Sequence, residues 1–249
     1  MKLRVAALWT ALLIGTGTRA ADTLPDTPAH QMSSIMQMDD QARFSRVLVD
    51  ELEFRNGDGV RDGVWDAQAQ YGNDDDKLLA RSEGDWASAA ASEGRIDLLW
   101  DRIVARWWSL QAGGRYDFGA GPGRGWAALG VAGLAPYWID IEATVYVGDA
   151  GALAGRFKAE TDLLMTQRLV LQPELEFNAY SRSDVRRAQG AGVSDFQTGL
   201  RLRYAIRREI APYTGVAWRR SLGSTAQQVR DAGRVPNALQ WVAGVRLLF

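Results

Sequence analysis

The chain has 249 residues, with 29 Lys and Arg against 30 Asp and Glu and a single His, so its formal net charge is -1. This balance argues against a basic surface for nucleic acid, and the absence of Cys excludes disulfides and thiol chemistry. The ten Trp residues are many for this length. Their amphipathic rings favour the interface between membrane and water, so a membrane protein is the first class to consider.

The first twenty residues have the organisation of a secretory signal peptide. Lys2 and Arg4 precede an apolar run over 5–14, and small residues follow up to Ala20. We therefore predict a signal peptide over residues 1–20. No later segment approaches the roughly 20 apolar residues that a membrane helix needs, which excludes a helical membrane protein.

Residues 21–43 are predicted to form a flexible periplasmic leader that carries a methionine-rich cluster. Three of the five Met fall within seven positions, next to the only His and followed by two Asp. Thioether sulfur suits Cu(I), and imidazole and carboxylate add further donors, so the cluster is a candidate copper site. The alternative is a disordered tether in which the methionines cluster by chance. The candidate ligands are His30, Met32, Met36, Met38, Asp39 and Asp40.

From residue 44 onward, polar and apolar residues alternate in segments of about ten residues. Ile96, Leu98 and Trp100 fall on one face of such a segment, and charged residues fall on the other. The last segment, 238–249, alternates in the same way and ends on Phe249. This pattern predicts an all-β fold over 44–249, a transmembrane antiparallel β-barrel of about 12 strands in the outer membrane. The predicted strands are 44–55, 63–72, 77–86, 94–103, 106–118, 125–135, 137–147, 153–163, 167–180, 195–206, 210–221 and 238–249.

The connections between these segments alternate in length, as the two rims of an outer-membrane barrel do. Short turns are predicted at 102–106, 135–136 and 206–209. Longer loops are predicted at 56–62, 87–93, 119–124, 181–194 and 222–237. The last two are expected to face the outside of the cell.

The polar face of the strands would line the lumen with charges of both signs. The acidic candidates are Glu51, Glu53, Glu83, Asp85, Asp97, Asp140, Glu142, Glu160, Glu174 and Glu176, and the basic ones are Arg95, Arg156, Lys158, Arg201 and Arg203. Carboxylates opposite Arg usually form a structural charge network, although a carboxylate ring also favours cations. The only His lies before the barrel, so no histidine base is available there and we expect no enzyme activity.

Several ordered strings along the barrel resemble the copper resistance protein B family of Gram-negative outer membranes. They are WDAQ at 65–68, LQAG at 110–113, LAPYW at 134–138, TQRLVLQP at 166–173, GLRLRY at 199–204, IRRE at 206–209 and APY at 211–213. The resemblance covers residues 38–249. It implies an outer-membrane protein of a periplasmic copper-detoxification system, with a multicopper oxidase and a periplasmic copper carrier as partners. Members of the family tend to carry a longer Met- and His-rich leader than this chain has.

The sequence therefore predicts a protein that confers copper tolerance, binds copper at its leader and transports it through the lumen. Ligand exchange is the expected mechanism, with Met thioethers capturing Cu(I) and lumen carboxylates attracting the cation. Three alternatives stay open: a general porin for small solutes, an outer-membrane hydrolase, and a barrel filled by its own side chains. Conductance without metal selectivity would favour the porin, and lipid or peptide turnover would favour the hydrolase.

Overall fold

A computed structural model describes residues 42–87, 93–119 and 121–249, with the side chain of Val60 left out. These residues form strands and one α-helix. The strands are β1 (Phe44–Gly57), β2 (Val60–Gly72), β3 (Asp76–Ala87), β4 (Glu93–Ala105), β5 (Trp108–Phe118), β6 (Arg124–Ala135), β7 (Ile139–Gly148), β8 (Leu153–Thr161), β9 (Leu163–Leu164), β10 (Leu169–Tyr180), β11 (Gly192–Tyr204), β12 (Ile210–Ser221) and β13 (Asn237–Leu248). The helix is α1 (Gly223–Asp231), and short 3-10 turns span Pro136–Trp138, Asp149–Gly151 and Val185–Arg187.

The strands close into an antiparallel barrel. Each long strand pairs with the next along the chain, and β13 pairs with β1. The two-residue β9 pairs with β10 beyond the end of β8, so β8 and β9 share one of the twelve positions in the wall. Among the strands of the described residues, closure leaves no edge unpaired, which a membrane-spanning sheet requires. The predicted twelve-strand barrel is confirmed.

Side chains alternate between the outside of the barrel and the lumen as the sequence predicts. On β4, Leu98 is 53% exposed and Asp97 is 2% exposed. On β11, Leu200 and Leu202 face outward, whereas Arg201 and Arg203 are buried in the lumen. A solvent-facing apolar surface of this extent would be unfavourable in water, so its environment is lipid.

One irregularity in β1 changes which residues face the lumen. Pairing with β2 shifts register between Val49 and Glu51, which is the mark of a β-bulge. Leu48 on one side of the bulge is buried, and so are Glu51 and Glu53 on the other side. The bulge therefore moves the inward position from even to odd numbers.

Aromatic residues form belts at both ends of the outer surface. One belt follows neighbouring strands, where Phe157, Phe177, Phe196 and Trp218 contact one another with ring centroids 4.9–6.4 Å apart. The opposite belt contains exposed Trp100, Trp107, Trp108 and Trp138, together with Tyr137. Such belts mark the two membrane–water interfaces. No helix within 42–87, 93–119 or 121–249 is long and apolar enough to cross a bilayer.

The two ends of the barrel carry different connections. The end where β1 begins and β13 finishes is called the terminal end, and the opposite one the loop end. At the terminal end β4–β5, β6–β7 and β11–β12 are joined by short turns, as predicted. At the loop end the longer connections 181–191 and 222–236 occur, again as predicted.

Two predicted connections differ from the structure. The loop expected over 56–62 is a two-residue turn, because Asp58 and Gly59 both adopt positive φ (45° and 76°), the conformation that Asp-Gly favours in tight hairpins. The segment 222–237, predicted as a loop, contains α1. Tertiary contacts stabilise this short helix, whose Thr225, Ala226 and Val229 are buried.

Helix α1 is attached to the neighbouring loop-end segment by hydrogen bonds. The Gly190 backbone N–H donates to Thr225 Oγ1 over 2.8 Å, and Thr225 Oγ1 lies 2.9 Å from Ser194 Oγ. Nearby, Arg187 and Ala188 are buried, and Arg187 donates to the Pro122 carbonyl. These contacts hold the loop-end segments together as a roof, defined here as residues 184–191 and α1.

Candidate functional site: the charged lumen

The lumen contains the acidic and basic residues that the sequence predicts there. All of these acidic candidates except Asp85 and Asp140 have an Arg or Lys nitrogen within 4.0 Å among the described residues. Asp85 lines the loop-end half of the lumen, and Asp140 lines the terminal-end half. The structure therefore separates a paired interior from unpaired carboxylates nearer the two mouths.

Arg201 organises the largest buried cluster. Its guanidinium lies 2.6 Å from Glu51, 3.1 Å from Glu53 and 2.6 Å from Glu174. Arg55 binds the same Glu51 and Glu53, and Tyr213 donates its hydroxyl to Glu53 over 3.0 Å. Glu53, Arg55 and Arg201 are each no more than 2% exposed. Charge-assisted bonds of this kind are strong, and each partner would be costly to leave alone.

A second group of ion pairs crosses the lumen from wall to wall. Arg156 on β8 binds Glu83 on β3 through two bonds of 2.8 and 2.9 Å, although the two strands lie five wall positions apart. Lys158 on β8 lies 3.5 Å from Asp66 on β2, six positions away and therefore opposite in a twelve-position wall. Glu83, Arg156, Asp66 and Lys158 are called the cross-lumen layer.

The cross-lumen layer is braced by residues on neighbouring strands. Arg156 also holds Glu176 through bonds of 3.1 and 3.0 Å, so one guanidinium binds two carboxylates. Arg95 binds Glu83, and Lys158 lies 3.4 Å from Glu160. The Arg156 side chain is 4% exposed. These contacts fill the middle of the barrel with paired charges.

A third cluster lies toward the roof. Arg115 donates to Asp117 over 2.6 Å, and its guanidinium lies 4.7 Å from the centroid of the Tyr146 ring. Arg124 connects the wall to the roof by contacting Asp117 at 3.2 Å and Asp184 at 3.1 Å. The roof is therefore held to the barrel electrostatically as well as through α1.

Cavities remain between these charged groups, and three of them bear on the lumen. The loop-end cavity has a volume of about 310 Å³, the terminal-end cavity about 310 Å³, and a third, beside β3 to β6, about 290 Å³. The residues common to the linings of the loop-end and terminal-end cavities are those of the cross-lumen layer. That layer is thus the partition between the two halves of the lumen.

Several carboxylates near the cavities have no cation within 4.0 Å in the described part of the chain. Asp85 and Glu93 face each other across β3 and β4 at the loop end. Asp140 lines the terminal-end cavity. Like charges opposite one another on neighbouring strands are unfavourable, so these positions attract cations.

The predicted metal ligands of the leader lie outside the described residues. This applies to His30, Met32, Met36, Met38, Asp39 and Asp40, as it does to the signal peptide. Within residues 42–87, 93–119 and 121–249, no group of three or more His, Cys, Asp or Glu has the geometry to hold a metal ion. The lumen carboxylates are thus arranged for ion pairing and electrostatic attraction.

Several lumen cations were missed by the sequence reasoning, among them Arg55, Arg81 and Arg115. Arg55 binds two glutamates, Arg81 binds Glu142 and Arg115 binds Asp117. A signal for them exists, because Arg55 alternates in phase with Glu51 and Glu53, and Arg81 with Glu83. Arg55 and Arg115 bind carboxylates of their own strands. The partner of Arg81 has no signal in the sequence, since Glu142 lies on the distant β7.

Comparison with known proteins identifies relatives along the whole barrel. The family model described as "Copper resistance protein B precursor (CopB)" matches residues 43–249. The "Copper resistance protein B homolog" of Pseudomonas syringae pv. tomato is 40% identical over 213 residues, which are 86% of this chain and 72% of the relative. "Copper resistance protein B" of Escherichia coli is 40% identical over 203 residues, or 82% and 69% of the two chains.

Solved structures share the barrel fold at low sequence identity. A structure of the KdgM porin has a TM-score of 0.51 and 12% identity, covering 82% of this chain and 99% of the porin. A structure of the NanC porin has a TM-score of 0.54 and 12% identity over the same shares. At this identity the likeness concerns the fold alone. It agrees with a barrel of the outer-membrane type.

Proposed function

This chain belongs to the copper resistance protein B family, and on that premise we propose that it binds copper ions and carries them across the outer membrane. Family membership, which rests on a match over residues 43–249 and on two relatives at 40% identity, supports a role in copper resistance. Copper is the substrate in this proposal. The closed barrel provides the route, and the Met- and His-containing leader provides the binding site.

The observation that carries the transport part is the distribution of unpaired carboxylates in the lumen. Asp85 and Glu93 line the loop-end cavity, and Asp140 lines the terminal-end cavity. Carboxylates near a pore mouth raise the local concentration of cations, because their charge is poorly screened inside a low-dielectric wall. A metal cation would therefore be drawn to either mouth.

The leader supplies the soft donors that the described barrel lacks. No Cys or His occurs in residues 42–249, and Met165 is the single Met there. Residues 30–40 precede β1, which begins at the terminal end. We place that end in the periplasm, where the thioethers of Met32, Met36 and Met38 would receive Cu(I) and His30 would add an imidazole ligand. A periplasmic multicopper oxidase and a copper carrier are the partners we expect there.

We propose no catalytic role for the barrel. Its acidic groups pair with Arg or Lys in the middle of the lumen, which suits structural charge networks better than acid–base chemistry. The general porin remains the second candidate, favoured by the closed barrel itself. It differs from the copper transporter in one measurable property: a porin would pass uncharged and charged small solutes without preference for copper.

The leader is tested by changing Met32, Met36 and Met38 to Leu together in the full chain. Leu keeps the volume and the apolar character but removes the sulfur ligand. We expect the change to lower copper tolerance in a deletion strain, with unaltered barrel abundance in the outer membrane. Growth in graded copper and immunoblots of membrane fractions measure the two quantities.

The matched control is Met165→Leu, which removes a thioether from an exposed turn at the terminal end. It should leave copper tolerance unchanged. Full tolerance in the triple variant would show that the leader acts only as a tether. An equal loss in both variants would show that the effect is not specific to the cluster.

A further inference from the structure

The lumen is interrupted at its middle by ion pairs that reach across it. Neighbouring strands commonly share salt bridges along a wall, but Arg156 and Glu83 come from strands five wall positions apart. Lys158 and Asp66 come from opposite strands. Side chains that meet across a barrel must occupy its axis, so this layer lies in the path of any ion.

The pairs are held tightly. Arg156 makes two bonds to Glu83 and two to Glu176, all between 2.8 and 3.1 Å. Its side chain is 4% exposed, and that of Lys158 is 14% exposed. Bidentate bonds between Arg and carboxylate combine strength with a defined geometry. K⁺ binds carboxylates weakly, so it cannot displace the guanidinium from them.

We propose that the cross-lumen layer is the selectivity barrier of this barrel. Arg156 and Lys158 occupy the carboxylates of Glu83 and Asp66, and a cation crosses only by displacing them. The barrier thereby favours divalent cations that bind carboxylates firmly, among which Cu²⁺ ranks highest in the first-row series. The layer excludes K⁺ and Cl⁻. This inference deepens the proposed transport function by assigning its selectivity to four residues.

Passage through the layer would occur by ligand exchange, in which the metal ion replaces Arg156 and Lys158 at the carboxylates. A Cu²⁺ ion, formed from leader-bound Cu(I) by the multicopper oxidase expected in the periplasm with O₂ as the oxidant, would enter from the terminal-end cavity. It would bind Asp66 as Lys158 is released, then Glu83 and Glu176, which line the loop-end cavity, as Arg156 swings away. No bond other than ion pairs and metal–oxygen bonds is made or broken, and the ion keeps its charge. Mg²⁺ gives up its water ligands reluctantly, so it competes poorly at such a layer.

The decisive experiment measures ion passage through the purified full chain in planar bilayers and in liposomes. The variant Arg156→Gln/Lys158→Gln removes both cations and leaves the carboxylates in place. In KCl without copper, the wild type should stay near the bilayer baseline. The variant should conduct about tenfold more and prefer K⁺ to Cl⁻, because unpaired carboxylates would then line the constriction.

Arg203→Gln is the matched control. Arg203 is also a buried lumen arginine, but it contacts Gln172 on the adjacent β10 and Asp162 just before β9, so its bonds run along the wall. This variant should conduct as little as the wild type. Wild-type liposomes loaded with a metal-sensitive dye should admit Cu²⁺ at least about tenfold faster than Mg²⁺, in line with their different affinities for oxygen and nitrogen ligands.

Several outcomes would contradict the proposal that the cross-lumen layer is a selectivity barrier. They are a wild type that conducts KCl as well as the double variant, a control that conducts equally, and a double variant that prefers Cl⁻. If the double variant does not fold, as judged by heat-dependent gel mobility, the charge-balanced variant Glu83→Gln/Arg156→Gln replaces it. A conductance equal to that of the wild type would then contradict the proposal in the same way. The KCl measurement contains no copper, so it can fail or succeed independently of copper tolerance.

Discussion

At the scale of single residues, Arg201 illustrates how much depends on one buried cation. It contacts Glu51, Glu53 and Glu174 within 3.1 Å, and all four side chains are at most 8% exposed. Removing the guanidinium would leave three carboxylates close together with only Arg55 to neutralise two of them. The sequence assigns Arg201 to the lumen, and the structure adds this clustering.

We expect Arg201→Gln to destabilise the barrel by about 3–5 kcal/mol, the range for breaking a buried ion pair from one side. Urea unfolding in lipid vesicles, followed by Trp fluorescence, measures this change. Arg203→Gln provides the comparison, because its partner Asp162 is 44% exposed and can be solvated. Equal losses in both variants would show that burial of the partners does not determine the cost.

Leu200 tests the opposite face of the same strand. Its side chain is 42% exposed on the outer surface, and it pairs with Val216 near the middle of β12. Leu200→Arg should cost about 2–4 kcal/mol of unfolding free energy, because it buries a charge near the bilayer midplane. Tyr204→Arg, at the end of β11, should cost about 0–1 kcal/mol because it lies at the interface. The same unfolding assay compares the two variants. A larger loss of unfolding free energy for Tyr204→Arg would show that the membrane band is assigned to the wrong part of the barrel.

At the scale of elements, the roof depends on one threonine of α1. Thr225 is 4% exposed and joins the Gly190 backbone N–H to Ser194. The helix is only nine residues long, too short to be stable by itself, so these contacts hold it in place.

We expect Thr225→Ala to leave a buried N–H without its acceptor and to weaken the roof by about 1–3 kcal/mol. Hydrogen–deuterium exchange should then quicken over residues 185–191 and 223–231 and stay unchanged in the strands. Gln227→Ala is the control, since Gln227 is exposed on the same helix. Faster exchange throughout the barrel, or unchanged exchange in the roof, would contradict a roof that Thr225 attaches locally.

At the scale of the whole molecule, closure determines how the protein behaves in detergent. Every long strand has two hydrogen-bonded neighbours, so unfolding must break the barrel as a unit. The protein should fractionate with outer membranes and migrate faster in detergent gels before boiling than after it. Recovery with inner membranes or cytosol, or a mobility that heat does not change, would contradict an outer-membrane barrel.

The sequence by itself determined the class of fold and, for the strands that alternate regularly, their approximate positions and their faces. Alternation with period two marks most of the long strands, because successive side chains on a strand point to opposite sides whatever the partner strand is. The exceptions are β1, which contains a bulge, and β6, which is apolar or Gly after Arg124. The positions of Leu98 and Asp97, or of Leu200 and Arg201, follow from that rule alone. The ordered strings of residues also identified the family correctly.

Only the tertiary structure decided which charges meet. Arg156 and Glu83 are 73 residues apart, and Arg201 and Glu53 are 148 apart. Their contact depends on the closure of the barrel and on strand register, which no local pattern encodes. Helix α1 is also decided by the tertiary structure, because its stability comes from contacts with the barrel and not from the helix propensity of its residues. Local alternation therefore set the inside and outside of the wall, and closure set the ion pairs that divide its lumen.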